Sequence, residues 1–159
     1  MIFTADEMLN THGILLRRCQ QVALAIFTEE AIQFDVTPTQ YSALAFIYNE
    51  PGIQQNVLGD RIALDRSSVT KCVEGLETRG LIRRQVDQKD KRARMMYITP
   101  DGEAMLKDVS AAARRARHRI ERKLGGSGFS NFIDGLKAFS SILDEAGTSN
   151  AVDLQPPRG

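Results

Sequence analysis

At 159 residues, with two cysteines, no tryptophan and 21 Lys/Arg against 20 Asp/Glu, the chain is long enough for one domain with extensions and is nearly neutral overall at +1. No apolar run approaches the roughly 20 residues of a membrane helix, and the start, Met1 to Asp6, lacks the basic-then-apolar pattern of a secretory leader, so a cytoplasmic protein without a membrane partner is expected. Cys19 and Cys72 have no metal-ligand spacing, His12 and His118 are far apart, and there is no Gly-rich phosphate loop or nucleophile elbow; no enzyme chemistry, cofactor or metal is expected.

The first predicted helix covers 6–33, with Leu16, Cys19, Ala23, Ile26 and Phe27 at helical spacing and Leu15 and Val22 widening the face. On that face Cys19 is expected to be buried. Phe34-Asp35-Val36 links to Thr37-Pro38-Thr39-Gln40, which reads as a capping box with proline at the first helical position. This second helix runs to about Asn49, with Tyr41, Leu44, Ala45 and Tyr48 inward, and Pro51-Gly52 stops it. A short third helix is predicted near 54–63, with Val57, Leu58 and Ile62 apolar.

A tight turn then leads to a helix over 65–79, capped by Asp65 and followed by Gly80. Val69, Val73 and Leu76 form its narrow apolar face, Cys72 faces the core, and Arg66, Ser67, Ser68, Thr70 and Lys71 lie opposite. Strands at Leu81–Val86 and Met95–Thr99 flank the charged loop Asp87–Arg94, as in a hairpin. Two short helices joined by a tight turn, followed by a basic hairpin, make a winged helix-turn-helix.

Thr99-Pro100 starts a helix of about six turns, with Leu106, Val109, Ala113, Ala116, Ile120 and Leu124 at threes and fours. Gly125–Gly128 is expected to break it. A last helix carries Phe129, Phe132, Leu136, Phe139 and Leu143. The fold class is therefore mainly α: a winged helix-turn-helix over 37–99, N- and C-terminal dimerisation helices over 1–36 and 100–146, and a loose tail at 147–159. The apolar faces of the outer helices exceed what the winged domain can cover, so a homodimer is expected.

Charge is unevenly placed. Residues 61–94 hold ten Lys/Arg against five Asp/Glu, a net of +5, and 114–123 hold six against one, again +5, which leaves 1 − 10 = −9 for the rest. The stripe at 114–123 reads as the solvated face of a long helix. The 61–94 segment reads as a face for nucleic acid. In that reading Arg66, Ser67, Ser68, Thr70 and Lys71 meet base edges and phosphates in a major groove, and Arg92 or Arg94 enters an adjacent minor groove. A winged-helix module for protein interaction, without DNA binding, is the alternative.

The run Leu76-Glu77-Thr78-Arg79-Gly80-Leu81-Ile82-Arg83-Arg84, then Asp87, Asp90-Lys91-Arg92 and Ile98-Thr99-Pro100-Asp101-Gly102, resembles the MarR family of bacterial transcription regulators. The match covers roughly residues 6–146. The resemblance implies a homodimer on double-stranded DNA with a palindromic operator, usually a repressor, often released by a small phenolic or aromatic-acid effector. It points to Arg92 as the minor-groove arginine, oriented by Asp90, and leaves Arg94 and Lys89 to phosphates. It implies a ligand pocket between the dimerising helices and the wing domain; His12, Arg17 and Arg18 are candidates there, because a carboxylate calls for a cation. Some relatives sense peroxides through a first-helix cysteine, so Cys19 carries a redox alternative, provided its thiol is exposed and acidic.

Overall fold

The computed structural model describes residues 2–86 and 93–145, with side chains through Ile142. The tail at 147–159 lies outside the described residues.

The predicted first helix is two helices. Thr4 and Glu7 form a capping box that starts α1 (Ala5–Leu9). The Asn10 amide then donates to the Asp6 carbonyl and the Thr11 hydroxyl to the Met8 carbonyl, both at 2.9 Å. Side chains that hydrogen-bond nearby carbonyls in this way compete with the helix ladder, and α2 (His12–Ala31) starts afresh after Thr11. Of the expected inward face of α2, Phe27 is buried, Leu16 and Ile26 are half-buried, and Cys19 and Ala23 are exposed. The expected burial of Cys19 therefore does not hold in the single chain, because only the far end of α2 meets a core.

A single 3-10 turn (Ile32–Phe34) follows, and Asp35 adopts a left-handed conformation with φ 50°. The capping box at Thr37 and Gln40 forms in both directions at 3.1 Å and starts α3 (Pro38–Asn49). Ala43, Leu44 and Ile47 are its buried face, whereas Tyr48, expected inward, is exposed. A two-residue strand, β1 (Ile53–Gln54), precedes α4 (Gln55–Arg61). The recognition-helix candidate is α5 (Arg66–Thr78), and the hairpin is β2 (Ile82–Val86) with β3 (Arg94–Ile98). The sheet is antiparallel with order β1-β3-β2; Ile82 pairs with Ile98 and Arg84 with Met96.

Thr99 caps α6 (Pro100–Leu124), accepting from the Gly102 amide at 3.0 Å while its hydroxyl donates to the Gly80 carbonyl at 2.7 Å. One hydroxyl thus ties the long helix to the end of the recognition helix. Gly125 alone, at φ 73°, separates α6 from α7 (Gly126–Glu145); the other residues of the expected glycine break belong to α7.

Two apolar clusters result. One joins α3, α4, α5, the sheet and the start of α6 around Leu44, Ile47, Leu58, Val73, Leu76 and Met96. The other joins the end of α2 to α6 through Phe27, Ala31, Val36, Val109 and Ala112, and Tyr41 and Met105 pack against both. Beside the second cluster, Arg115 and Arg119 bond to Glu30 at 2.8 and 3.1 Å, and Arg119 also to Glu29 at 2.8 Å. Two cations of the 114–123 stripe are therefore spent on holding α2 to α6 rather than solvated alone. Among the described residues no helix is long and apolar enough to cross a membrane.

Candidate nucleic-acid interface

The recognition helix is built by one cap and four buried side chains. Asp65 accepts from the Ser68 amide at 2.8 Å and from the Ser68 hydroxyl at 2.7 Å. These bonds, the backbone one foremost, hold the Asp65 carboxyl below its ordinary value of 3.8. A depressed carboxylate contributes stability above its unfolded pKa and loses that contribution as pH falls through the folded value. Asp65→Asn keeps a cap oxygen but cannot titrate. Its melting temperature should lie below wild type at pH 7 and converge with wild type below about pH 4; parallel curves in a pH series of thermal melts would refute the assignment.

Val69, Cys72, Val73 and Leu76 are buried on one side of α5. Burial also pushes the Cys72 thiol up, which suits an inert core cysteine. On the opposite side Arg66, Ser67 and Lys71 are exposed, together with Glu74. The other two candidates do structural work. The Ser68 hydroxyl completes the cap, and the Thr70 hydroxyl donates to the Arg66 carbonyl at 2.7 Å while accepting from the Gln55 side-chain amide at 2.8 Å. Gln55 fixes α4 against α5, a role that sequence patterning does not mark.

The wing is locked to the same helix. The Arg84 guanidinium donates to Glu77 from Nε at 2.8 Å and from Nη2 at 2.5 Å, and the Arg84 amide reaches the other carboxylate oxygen at 3.3 Å. This contact lowers the Glu77 pKa and raises that of Arg84. Arg83 lies over the Tyr97 ring at 4.8 Å, and Arg94 is exposed at the start of β3. Lys89, Asp90 and Arg92 lie outside the described residues.

A cleft of about 690 Å³ opens between α3 and α6; Tyr41, Tyr48, Asn49, Lys107, Ser110 and Arg114 are among the residues lining it. That volume is in the range of small-molecule sites. His12, Arg17 and Arg18 do not line it. His12 packs near Phe139 of α7, ring centroids 6.1 Å apart, and the two arginines are exposed on α2.

A profile described as the MarR family matches residues 34–93. A putative transcriptional regulatory protein for the hcr operon of Thauera aromatica is 33% identical over 126 residues, covering 79% of this chain and 76% of that protein. The chain belongs to the MarR family. Among solved structures, the PcaV regulator of Streptomyces coelicolor in complex with its natural ligand is similar with a TM-score of 0.76 at 26% identity, covering 89% of this chain and 98% of that one. The repressor CouR, bound to a 23-mer DNA duplex, shares the fold with a TM-score of 0.79 at 23% identity, over 88% of this chain and 99% of that one. The chain is thus a DNA-binding transcriptional regulator of MarR type, not an enzyme. In this winged fold β2 and β3 are the wing beside α5, the recognition-helix candidate, and the Glu77–Arg84 pair, absent from the expected site, is the joint between them. Its sequence signal is an acid and an arginine on either side of the Gly80 turn.

Proposed function

We propose that the protein is a homodimeric repressor that occupies a palindromic operator and leaves it when a small aromatic acid binds. The observation that carries the DNA half is the division of α5 into one wholly buried side and one side bearing Arg66, Ser67 and Lys71, next to a hairpin whose loop holds Lys89, Lys91 and Arg92. Dimerisation is supported by apolar side chains left uncovered on α2 and α7: Leu15, Val22, Leu24, Phe139 and Ile142 are each at least 44% exposed in the single chain. Stripes of this kind on a regular helix mark a partner surface, and a symmetric pairing is the commonest way to cover them.

The effector is assigned to the cleft between α3 and α6, where Tyr41 and Tyr48 offer aromatic faces and Lys107 and Arg114 offer cations for a carboxylate. His12, Arg17 and Arg18 stay candidates only through the α2 of a second subunit. An effector acts by binding the DNA-incompetent arrangement more tightly than the competent one.

The test uses a duplex selected by the wild-type protein from a random-sequence library. Arg66→Ala and Arg92→Ala should each weaken binding to it by about 1–3 kcal/mol, the cost of a lost specific contact. A panel of benzoic and hydroxybenzoic acids should contain members that raise the melting temperature and weaken binding to the same duplex. Failure to select any duplex would contradict the operator reading, unchanged affinity in both variants would remove Arg66 and Arg92 from the interface, and a silent panel would remove the effector assignment.

A further inference from the structure

The last residue of the recognition-helix turn makes a contact outside its own domain core. From the C-terminal end of α5, the Arg79 guanidinium donates through Nη1 to the Asp35 carbonyl at 2.5 Å and through Nη2 to the Phe34 carbonyl at 3.1 Å. These two carbonyls close the 3-10 turn that continues α2. The end of a helical segment leaves carbonyls without intrahelical donors and concentrates partial negative charge. A forked guanidinium meets both at once, which a point charge cannot do. Asp35 itself sits at φ 50°, a conformation that persists in a residue other than glycine when its surroundings hold it. Two residues on, the Thr37 cap begins α3, the first helix of the winged domain. The segment from Ile32 to Val36 is therefore the joint between the α2 arm and the reading domain, and Arg79 clamps it from the reading helix.

We propose that Arg79 is a positioning residue that, by clamping the Phe34 and Asp35 carbonyls, fixes the angle between the recognition helix and the α2 arm and so sets the half-site spacing a dimer accepts. The role rests on the dimer-on-palindrome reading above. The lever is sensitive. A 13-residue helix is about 20 Å long at 1.5 Å per residue, so a tilt of roughly 10° moves its tip by about one base-pair rise, ~3.4 Å. Removing the clamp leaves every DNA-facing side chain in place. The expected loss is in spacing discrimination rather than in contact chemistry.

The experiment starts from the duplex selected by the wild-type protein and remakes it with the centre lengthened or shortened by one and two base pairs. Affinities for the set are measured with wild type, Arg79→Met and Arg79→Lys; the methionine keeps the aliphatic stem, and the lysine keeps the charge but meets one carbonyl. Wild type should prefer the selected spacing over its neighbours by about tenfold or more, the size of one lost base pair of recognition. Arg79→Met should flatten that ratio to about twofold, with Arg79→Lys between them. General loss of charge or stability lowers all affinities together and leaves the ratio alone. If Arg79→Met does not fold, Arg79→Lys decides by the same ratio. A wild-type ratio retained by the folded variants overturns the role of Arg79 alone. A wild-type protein indifferent to spacing overturns the palindrome reading and this role with it.

Discussion

Replacing Leu76 with alanine is expected to lower the unfolding free energy by about 2–5 kcal/mol, the range for a large buried aliphatic side chain cut back to a methyl. Leu76 is fully buried and belongs to the cluster that joins α3, α5 and the sheet. It is the last of four buried positions on a 13-residue helix, and a helix of that length is marginal without tertiary packing. The cavity would open between the recognition helix and the wing, next to the Glu77–Arg84 joint, so collapse to fill it would also displace the reading face. For a domain of this size the loss corresponds to a fall in melting temperature of about 4–20 °C. Lys71→Ala, on the exposed side of the same helix, should stay within about 0.5 kcal/mol of wild type in stability while weakening DNA binding. Urea denaturation of the two variants checks the pair; a Leu76→Ala loss below about 1 kcal/mol would show that α5 is held by something other than its buried face.

Gly102→Ala is expected to destabilise, although alanine is the better helix former by up to about 1 kcal/mol. Gly102 is buried in the first turn of α6. A Cβ there would run into the Leu81 carbonyl oxygen and lie 2.7 Å from Ile98 Cγ1. The Leu81 carbonyl cannot simply move away, because it accepts from the Thr99 amide at 3.1 Å and Thr99 caps α6. Forced overpacking of this kind costs about 1–3 kcal/mol or more. Gly126→Ala supplies the opposite sign: nothing lies within 4 Å of its added methyl at the start of α7, across the helix from Phe139 and Ile142, so it should be neutral or stabilising by up to about 0.5–1 kcal/mol. Thermal melts of both variants against wild type decide the matter. Stabilisation by Gly102→Ala would mean that α6 does not press on the wing as described.

The elements most legible in the sequence were those fixed within four residues of themselves. Thr37 with Gln40, Asp65 with Ser68 and Thr99 with Gly102 are local hydrogen bonds, and a short polar side chain at the right offset announces each. The winged order followed from those starts. Features set by competition or by distance were not legible. The break before His12 comes from Asn10 and Thr11 bonding back onto α1. The strand β1 has two residues and exists through its pairing with Met95 and Met96. Cys19 and Tyr48 lie on apolar faces yet are exposed, since periodicity shows that a face is apolar and not what covers it. For the reading helix, residue type alone did not separate Arg66, Ser67 and Lys71 from Ser68 and Thr70, whose hydroxyls are engaged within the fold. The joint at Arg79 depends on carbonyls more than forty positions away in sequence, and no local pattern carries it.

In the proposed complex two copies of the chain present their α5 helices to one duplex. The measurement that reaches this most directly is the mass of the complex formed on the selected duplex in dilute salt, by light scattering. Two chains per duplex is the predicted result, and a complex holding one chain, or no complex at all, would contradict it.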